Sequence, residues 1–279
     1  MNRVSGISEP KEGSAKLMRA REFTATIVST EPTMGDASIL TFTVPDQMAA
    51  NVRAGHFVDI LCRLESSFDP LLRRPFSIYE TQPKQSTFSV LVRPFGRGSA
   101  WLCDRQIGTT LDVLGPLGNT YEISSKSTNL LMVAGGVGAA PLLMLSTEAV
   151  GRGLSVTYLM GAADESGLLP TSALPSAVEY VVATEDGSRG YRGFVTDLVP
   201  QYARWADQIF TCGPEPMFRS LRNTLGPHRI GGKPTVQLSV ERTMACGLGA
   251  CLGCVVETKH GMQTSCIQGP VYDMDDLVW

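Results

Sequence analysis

Apolar and polar positions alternate with a period of two along much of the chain between Arg21 and Ile123. Phe23-Thr-Ala-Thr-Ile-Val, Ser38-Ile-Leu-Thr-Phe-Thr-Val and Ser86-Thr-Phe-Ser-Val-Leu-Val all follow it, the pattern of strands with one face buried. Turn formers separate these runs, at Glu31-Pro32, Pro45-Asp46, Ala54-Gly55, Gln82-Pro83 and Gly115-Pro116-Leu117-Gly118. Short strands at this spacing predict a small antiparallel barrel.

Beyond Thr128 the rhythm changes. Leu130-Leu-Met-Val-Ala reads as a buried strand, and a glycine loop and an apolar helical stretch, Pro141 to Val150, follow it. Strands are then predicted over Ser155 to Met160, Val178 to Ala183 and Gln208 to Cys212, with a helical segment over Phe194 to Gln201. Strands alternating with helical segments predict a parallel α/β sheet. Gly231-Gly232-Lys233-Pro234 reads as a linker, and the first twenty residues, polar and without an apolar core, read as a flexible arm. The expected organisation is thus an arm over 1–20, a barrel over 21–125, an α/β domain over 126–233 and a small C-terminal segment over 234–279. This is an α/β-plus-β fold.

Composition narrows the function classes. Of the 279 residues 43% are hydrophobic and 18% charged, and the net charge is −3. That balance supports packed cores and leaves no basic footprint for nucleic acid or an anionic membrane surface. The longest apolar run, Leu130 to Leu145, is broken by Gly135, Gly136, Gly138 and Pro141. It falls short of the roughly 20 residues of a spanning helix, so membrane insertion is not expected and a cytoplasmic location is.

Seven cysteines are present, and four of them fall within the last 34 residues. An odd number without a secretory signal argues against a disulfide framework. Cys246, Cys251 and Cys254 have the spacing C-x4-C-x2-C, and Cys266 follows after eleven intervening residues. This is the opening spacing of plant-type [2Fe–2S] ligation. Gly247, Gly249 and Gly253 suit a loop that wraps an inorganic core while its N–H groups point inward. Structural zinc also takes four thiolates, usually from two short knuckles. Spacing favours iron–sulfur over zinc, and both stay open.

Gly135-Gly136-Val137-Gly138-Ala139-Ala140-Pro141 ends a strand and opens a helix, where free N–H groups and the helix dipole favour a pyrophosphate. Cys212-Gly213-Pro214 marks a second strand–helix corner. Both corners fall at strand carboxyl ends, the ligand edge of open α/β sheets, and Thr184 to Ser188 lies between them. The acids Asp164 and Glu165, with no Arg or Lys beside them, favour a free ribose 2′-hydroxyl and hence NAD. In the barrel, the Arg74-Pro75-Phe76-Ser77 stretch suits a flavin. The guanidinium matches a pyrophosphate, Phe76 matches the ring and Ser77 matches the ring edge. The Gly96-Arg97-Gly98-Ser99 turn would receive its phosphates.

The order Arg74-Pro-Phe-Ser, Gly115-Pro-Leu-Gly, Gly135-Gly-Val-Gly-Ala-Ala-Pro, Thr184-Glu-Asp-Gly-Ser and Cys212-Gly-Pro resembles the ferredoxin–NADP reductase superfamily. The ending Glu241-Arg-Thr-Met-Ala-Cys-Gly-Leu-Gly-Ala-Cys-Leu-Gly-Cys is similar to the electron-transfer subunits of class 1B dihydroorotate dehydrogenases. The resemblance implies FAD, held by Arg74, Pro75, Phe76, Ser77, Leu91, Val92, Arg93, Gly98 and Ser99. It implies a [2Fe–2S] cluster on Cys246, Cys251, Cys254 and Cys266, and NAD as the external partner at Gly135, Gly136, Gly138, Cys212, Gly213 and Pro214. It also implies a separate FMN-containing dihydroorotate dehydrogenase catalytic subunit in a two-plus-two heterotetramer serving pyrimidine biosynthesis. Arg97, Ser99 and His56 stand where that family often has Glu, Thr and Gln. No side chain of this chain is expected to act as acid or base on a substrate carbon. Two other readings are a related diaphorase subunit of a hydrogenase or another oxidoreductase, and a zinc-stabilised binding module.

Overall fold

The computed structural model describes residues 20–45, 48–64, 66–229 and 231–279. The expected N-terminal arm lies outside these residues, apart from Ala20. Strands β1 (Arg21–Pro32), β2 (Ser38–Thr43), β3 (Phe57–Ile60), β4 (Arg74–Gln82), β5 (Thr87–Val92) and β6 (Thr110–Leu117) close an antiparallel barrel in the order β1-β2-β5-β4-β3-β6. Inward positions follow the alternation of the sequence: Ala25, Ile27, Leu40, Phe42, Val58, Ile60, Ile78, Phe88, Val90 and Val113 share one core. Two short helices, α1 (Met48–Asn51) and α2 (Arg97–Cys103), flank it.

The turn expected at Gly115 to Gly118 is instead largely strand, since β6 runs through Leu117. Pro116 falls where the β3–β6 register shifts, between the pairs Phe57–Leu117 and Asp59–Leu114. Its missing N–H therefore breaks no ladder bond.

The second unit is a seven-stranded sheet in the order β10-β9-β8-β7-β11-β12-β15. Its strands are β7 (Asn129–Gly135), β8 (Ser155–Ala162), β9 (Glu179–Thr184), β10 (Tyr191–Arg192), β11 (Gln208–Cys212), β12 (Thr235–Ser239) and β15 (Val271–Asp273). All pairs are parallel except β12–β15. Helices α3 (Ala139–Gly151), α4 (Val199–Tyr202) and α5 (Glu215–Leu225) complete it. The helix expected over Phe194 to Gln201 is a 3-10 turn, Val195–Asp197, followed by the single turn of α4. Pro200 is tolerated in that first turn because its absent N–H has no partner to lose there.

Strands β12 and β15 both come from the stretch 234–279, so the linker-like Gly231–Pro234 leads from the turn after α5 into a strand of the same sheet. Between them stand the cysteine loop and the hairpin of β13 (Val255–Thr258) and β14 (Gly261–Thr264).

Helix α3 joins the two units. It is apolar almost all round, with Ala139, Ala140, Leu142, Leu143, Leu145 and Ala149 buried, the signature of a helix covered on more than one side. It shares a core with the sheet residues Leu130, Met132 and Tyr158 and with the outward-facing barrel residues Tyr79 and Leu91. The cleft between barrel and sheet is therefore walled by packed elements.

Candidate functional site

The cleft has a volume of about 1370 Å³, above the roughly 300–1,000 Å³ of a site for one drug-sized ligand. On its barrel side β4 presents Arg74, Pro75, Phe76 and Ser77, β5 presents Leu91, and Arg93 and Ser99 follow. Arg74 lies over the first turn of α2. A Cβ at Gly98 would stand 3.1 Å from the Arg74 side chain, so a larger residue there would crowd the arginine. Its Nη1 donates to the Leu72 carbonyl at 2.8 Å. Ser99 Oγ closes the turn by accepting from Gly96 N–H at 3.0 Å. A guanidinium laid across a glycine turn is a suitable donor set for a dinucleotide pyrophosphate. Val92 points into the barrel core. Phe95, 95% exposed at the cleft edge, lines it too and carried no signal beyond being an aromatic next to a turn.

Arg73 and Arg74 are adjacent in sequence and diverge in space. Arg73 pairs with Glu22 and with Asp112 Oδ2, the latter at 2.8 Å, and donates to the Asp112 carbonyl at 3.0 Å. It fastens β4 to β1 and β6 and does not line the cleft.

On the sheet side Gly135, Gly136, Cys212 and Pro214 line the same cleft. Gly138 and Gly213 lie beneath them. A Cβ on Gly138 would meet the Cys212 carbonyl oxygen at 2.4 Å, so the two glycine corners meet only because that position has no side chain. Burial pushes the Cys212 thiol far up, and the nearby Glu241 adds to the shift. It is a neutral wall group and not a nucleophile. Asp164, by contrast, caps its own loop, accepting from Ser166 N–H at 2.8 Å.

Glu241, Arg242, Thr243 and Met244 complete the cleft and lead straight into the cysteine loop. All four cysteine sulfurs of that segment accept a backbone N–H. Leu248 donates to Cys246 at 3.4 Å, Gly253 to Cys251 at 3.4 Å, Cys266 to Cys254 at 3.4 Å and Gly249 to Cys266 at 3.2 Å. Burial raises the Cys246 thiol, but N–H donors from Leu248, Cys251 and Ala250 outweigh it and bring the group down to about 7. Cys266 is pushed up to about 12 by burial, by its hydrogen bond with Cys254 and by its neighbours' charge. Four cysteine sulfurs on one segment, each with a backbone N–H donated to it, are the ligand chemistry an iron–sulfur cluster takes once the thiols are deprotonated, and the set fits such a cluster. Cys254 and Cys266 are buried against Phe57, Leu117 and Met244. Cys251, Leu248 and Leu252 are exposed.

Asp59 sits behind the loop. It alternates with the inward Val58 and Ile60 and so points out of the barrel, yet it is only 1% exposed. Neither carboxylate oxygen has a hydrogen-bond partner. A Cβ on Gly247 would lie 2.6 Å from its Oδ2, and Gly247 has φ +67°. The loop backbone thus lies directly on the barrel wall.

Residues 241–278 match the family model for the iron–sulfur cluster binding domain of dihydroorotate dehydrogenase B. The chain is similar to the dihydroorotate dehydrogenase B (NAD(+)) electron transfer subunit of Geobacillus thermodenitrificans, 35% identical over 85% of this chain and 91% of that one. It is similar also to the subunit of Desulforamulus reducens, 32% identical over 93% of this chain and 99% of that one. Among solved structures, a chain of an NADH-dependent reduced ferredoxin–NADP oxidoreductase superposes with a TM-score of 0.79 at 27% identity, covering 91% of this chain and 90% of its own. A ferredoxin reductase of carbazole 1,9a-dioxygenase, with a TM-score of 0.68 at 18% identity, shares the fold. With its barrel, its parallel sheet and its four-cysteine loop in this order, the chain belongs to the family of dihydroorotate dehydrogenase B (NAD+) electron transfer subunits.

Proposed function

We propose that the chain carries electrons between an FMN-containing dihydroorotate dehydrogenase catalytic subunit and NAD+, in pyrimidine biosynthesis. Bound FAD would supply the conversion between a hydride's two electrons at NAD and single electrons at a [2Fe–2S] cluster. Arg74 and Arg93 would hold the flavin pyrophosphate, with Pro75, Phe76, Ser77, Leu91 and Ser99 around the rest. Gly98 and the backbone of Val92 would support that site from beneath. Gly135, Gly136, Cys212 and Pro214, with Gly138 and Gly213 behind them, would position the dinucleotide. Cys246, Cys251, Cys254 and Cys266 would hold the cluster. The functional division follows the barrel at 21–125, the sheet at 126–233 and the cluster segment at 234–279, the last lending β12 and β15 to the sheet.

One observation carries this reading: Phe57 and Met244 line the flavin cleft and also pack on Cys254 and Cys266. A single layer of side chains would then separate the flavin from the cluster, a short path suited to electron transfer. The neutral, buried Cys212 thiol would keep water from the hydride side without adding a charge. The exposed edge of the loop, Leu248, Cys251 and Leu252, faces outward as the side for the catalytic subunit. Two copies of each subunit are the proposed assembly, and the cytoplasm the proposed location. Among the described residues no helix is long and apolar enough to cross a membrane.

The test is to co-purify the chain with a candidate FMN-bearing subunit and to follow dihydroorotate-dependent NAD+ reduction. The mass of the purified complex gives its stoichiometry. Activity that demands a different partner or substrate would sink the assignment. A diaphorase role for another oxidoreductase is the second reading, favoured by the close superposition on the NADH-dependent ferredoxin–NADP oxidoreductase chain. It predicts that the chain copurifies with such an enzyme and not with a dihydroorotate-oxidising one.

A further inference from the structure

The end of β8 carries the acids that the sequence favours for a ribose, but the structure occupies them elsewhere. Asp164 is taken up by Ser166, and Glu165 faces Arg189 at 3.5 Å. Neither lines the cleft. What does line it there is the small run Gly161, Ala162 and Ala163, followed at the end of β9 by Glu185. Thr184 pairs with Ala162 across the two strands, and Glu185 N–H donates to the Ala162 carbonyl at 3.1 Å. The Glu185 backbone is therefore held in place while its side chain is exposed at the cleft.

The position matters because of strand spacing. From β11, where Cys212 faces the flavin side, the sheet runs β7, β8, β9. Three steps of about 4.8 Å give roughly 14 Å, a span of the order of an extended dinucleotide. A nicotinamide beside Cys212 and a pyrophosphate over Gly135 and Gly136 leave the adenosine ribose at the β8–β9 end. The three small residues give it room, and Glu185 stands beyond them. Two arginines are near in sequence. Arg189 is turned to Glu165, and Arg192 lies along Gly187, and neither lines the cleft.

We infer that Glu185 is the residue that selects NAD over NADP, accepting hydrogen bonds from a free ribose 2′-hydroxyl and repelling a 2′-phosphate. This rests on the reading of the cleft as the dinucleotide site. Steady-state kinetics of NADH and NADPH with an artificial electron acceptor, on the flavin-loaded complex, give the selectivity. Calorimetric titration with NAD+ and with NADP+ gives affinities that do not depend on turnover. In Glu185→Gln the NADPH-to-NADH ratio of kcat/KM is expected to rise at least tenfold, with NADP+ affinity rising in step. Glu185→Arg is expected to raise both further. A ratio within twofold of the parent in both variants overturns the proposal. So does a selectivity change in Arg189→Ala matched by none in Glu185→Gln. If the parent itself binds neither dinucleotide, it is the reading of the cleft that fails, a distinguishable result. The side chain is exposed, so flavin content suffices to verify folding.

Discussion

His56 and Asp59 stand three residues apart and titrate in opposite senses. Burial, reinforced by the charge of Arg53, draws the His56 imidazole from 6.5 down to about 4. The unfolded chain then binds a proton that the folded one refuses. The His56 contribution is complete above about pH 6.5 and is lost as the pH falls toward 4. Burial pushes the Asp59 carboxyl from 3.8 up to about 6, against the pull of Arg73. Its contribution is complete below about pH 4 and is lost as the pH rises through 6. Between pH 4 and 6 the two slopes oppose one another. His56→Gln should leave a chain whose stability falls as the pH rises across that window, and Asp59→Asn one whose stability climbs. Each change is of order 2–3 kcal/mol, measurable by urea unfolding at stepped pH. A His56→Gln chain that gains stability across the window would contradict the assignment. Gly247→Ala tests the same wall. Its methyl would enter both the Asp59 carboxylate, at 2.6 Å, and Leu117, at 3.0 Å, from a left-handed backbone. Iron and sulfide content should drop well below the parent's, and the left-handed backbone alone costs about 1 kcal/mol or more. The four cysteines were legible because thiol spacing along one loop is a local property. The division of labour between Arg73 and Arg74 was not, because alternation along a strand sends neighbours to opposite faces and only the partners decide which face is the cleft.

At the scale of elements, one side chain makes three hydrogen bonds across the joint between the barrel and the cluster segment. Asn119 Nδ2 donates to the carbonyls of Gln268 at 2.9 Å and Val271 at 2.8 Å, and its Oδ1 accepts from Val271 N–H at 2.8 Å. These bonds tie the end of β6 to the start of β15 across some 150 residues of chain. Asn119→Ala should leave those backbone groups without protein partners and cost about 2–4 kcal/mol. It should also speed loss of the cluster under a chelator, while flavin retention, governed by β4 and β5, changes less. Equal rates of cluster loss in variant and parent would show that the joint does not brace the loop. Elements with strong periodicity, such as β2, β5, β7 and α3, were legible from the chain alone. β12 and β15 were not, because five- and three-residue strands carry too little pattern to reveal that they pair into a distant sheet. The helix expected over Phe194 to Gln201 shrank for a similar reason, since packing of Val195, Leu198 and Val199 against the sheet is met by short turns as well as by a continuous helix.

At the scale of the whole molecule, the cleft between barrel and sheet adjoins the cysteine loop through Phe57 and Met244. The apolar tips Leu248 and Leu252, 54% and 56% exposed, mark the loop's outer end. Exposed leucines beside a redox loop are suited to a partner's apolar surface. Replacing both with glutamate should weaken affinity for the catalytic subunit at least tenfold by calorimetry, with flavin and iron content measured on the same samples. Unchanged affinity would move the docking side elsewhere. By itself the sequence determined the kinds of module and their order. Those depend on local periodicity, on glycines where backbone must turn, and on thiol spacing, all readable within a few residues. Only the tertiary structure decided that Phe57 and Met244 form a wall common to the cleft and the cysteine loop, and that Glu185, not Asp164 or Glu165, faces the cleft. It also decided that the cluster segment shares strands with the dinucleotide sheet. Each of these is a contact between residues far apart along the chain, set by which faces pack together, and no local pattern encodes it.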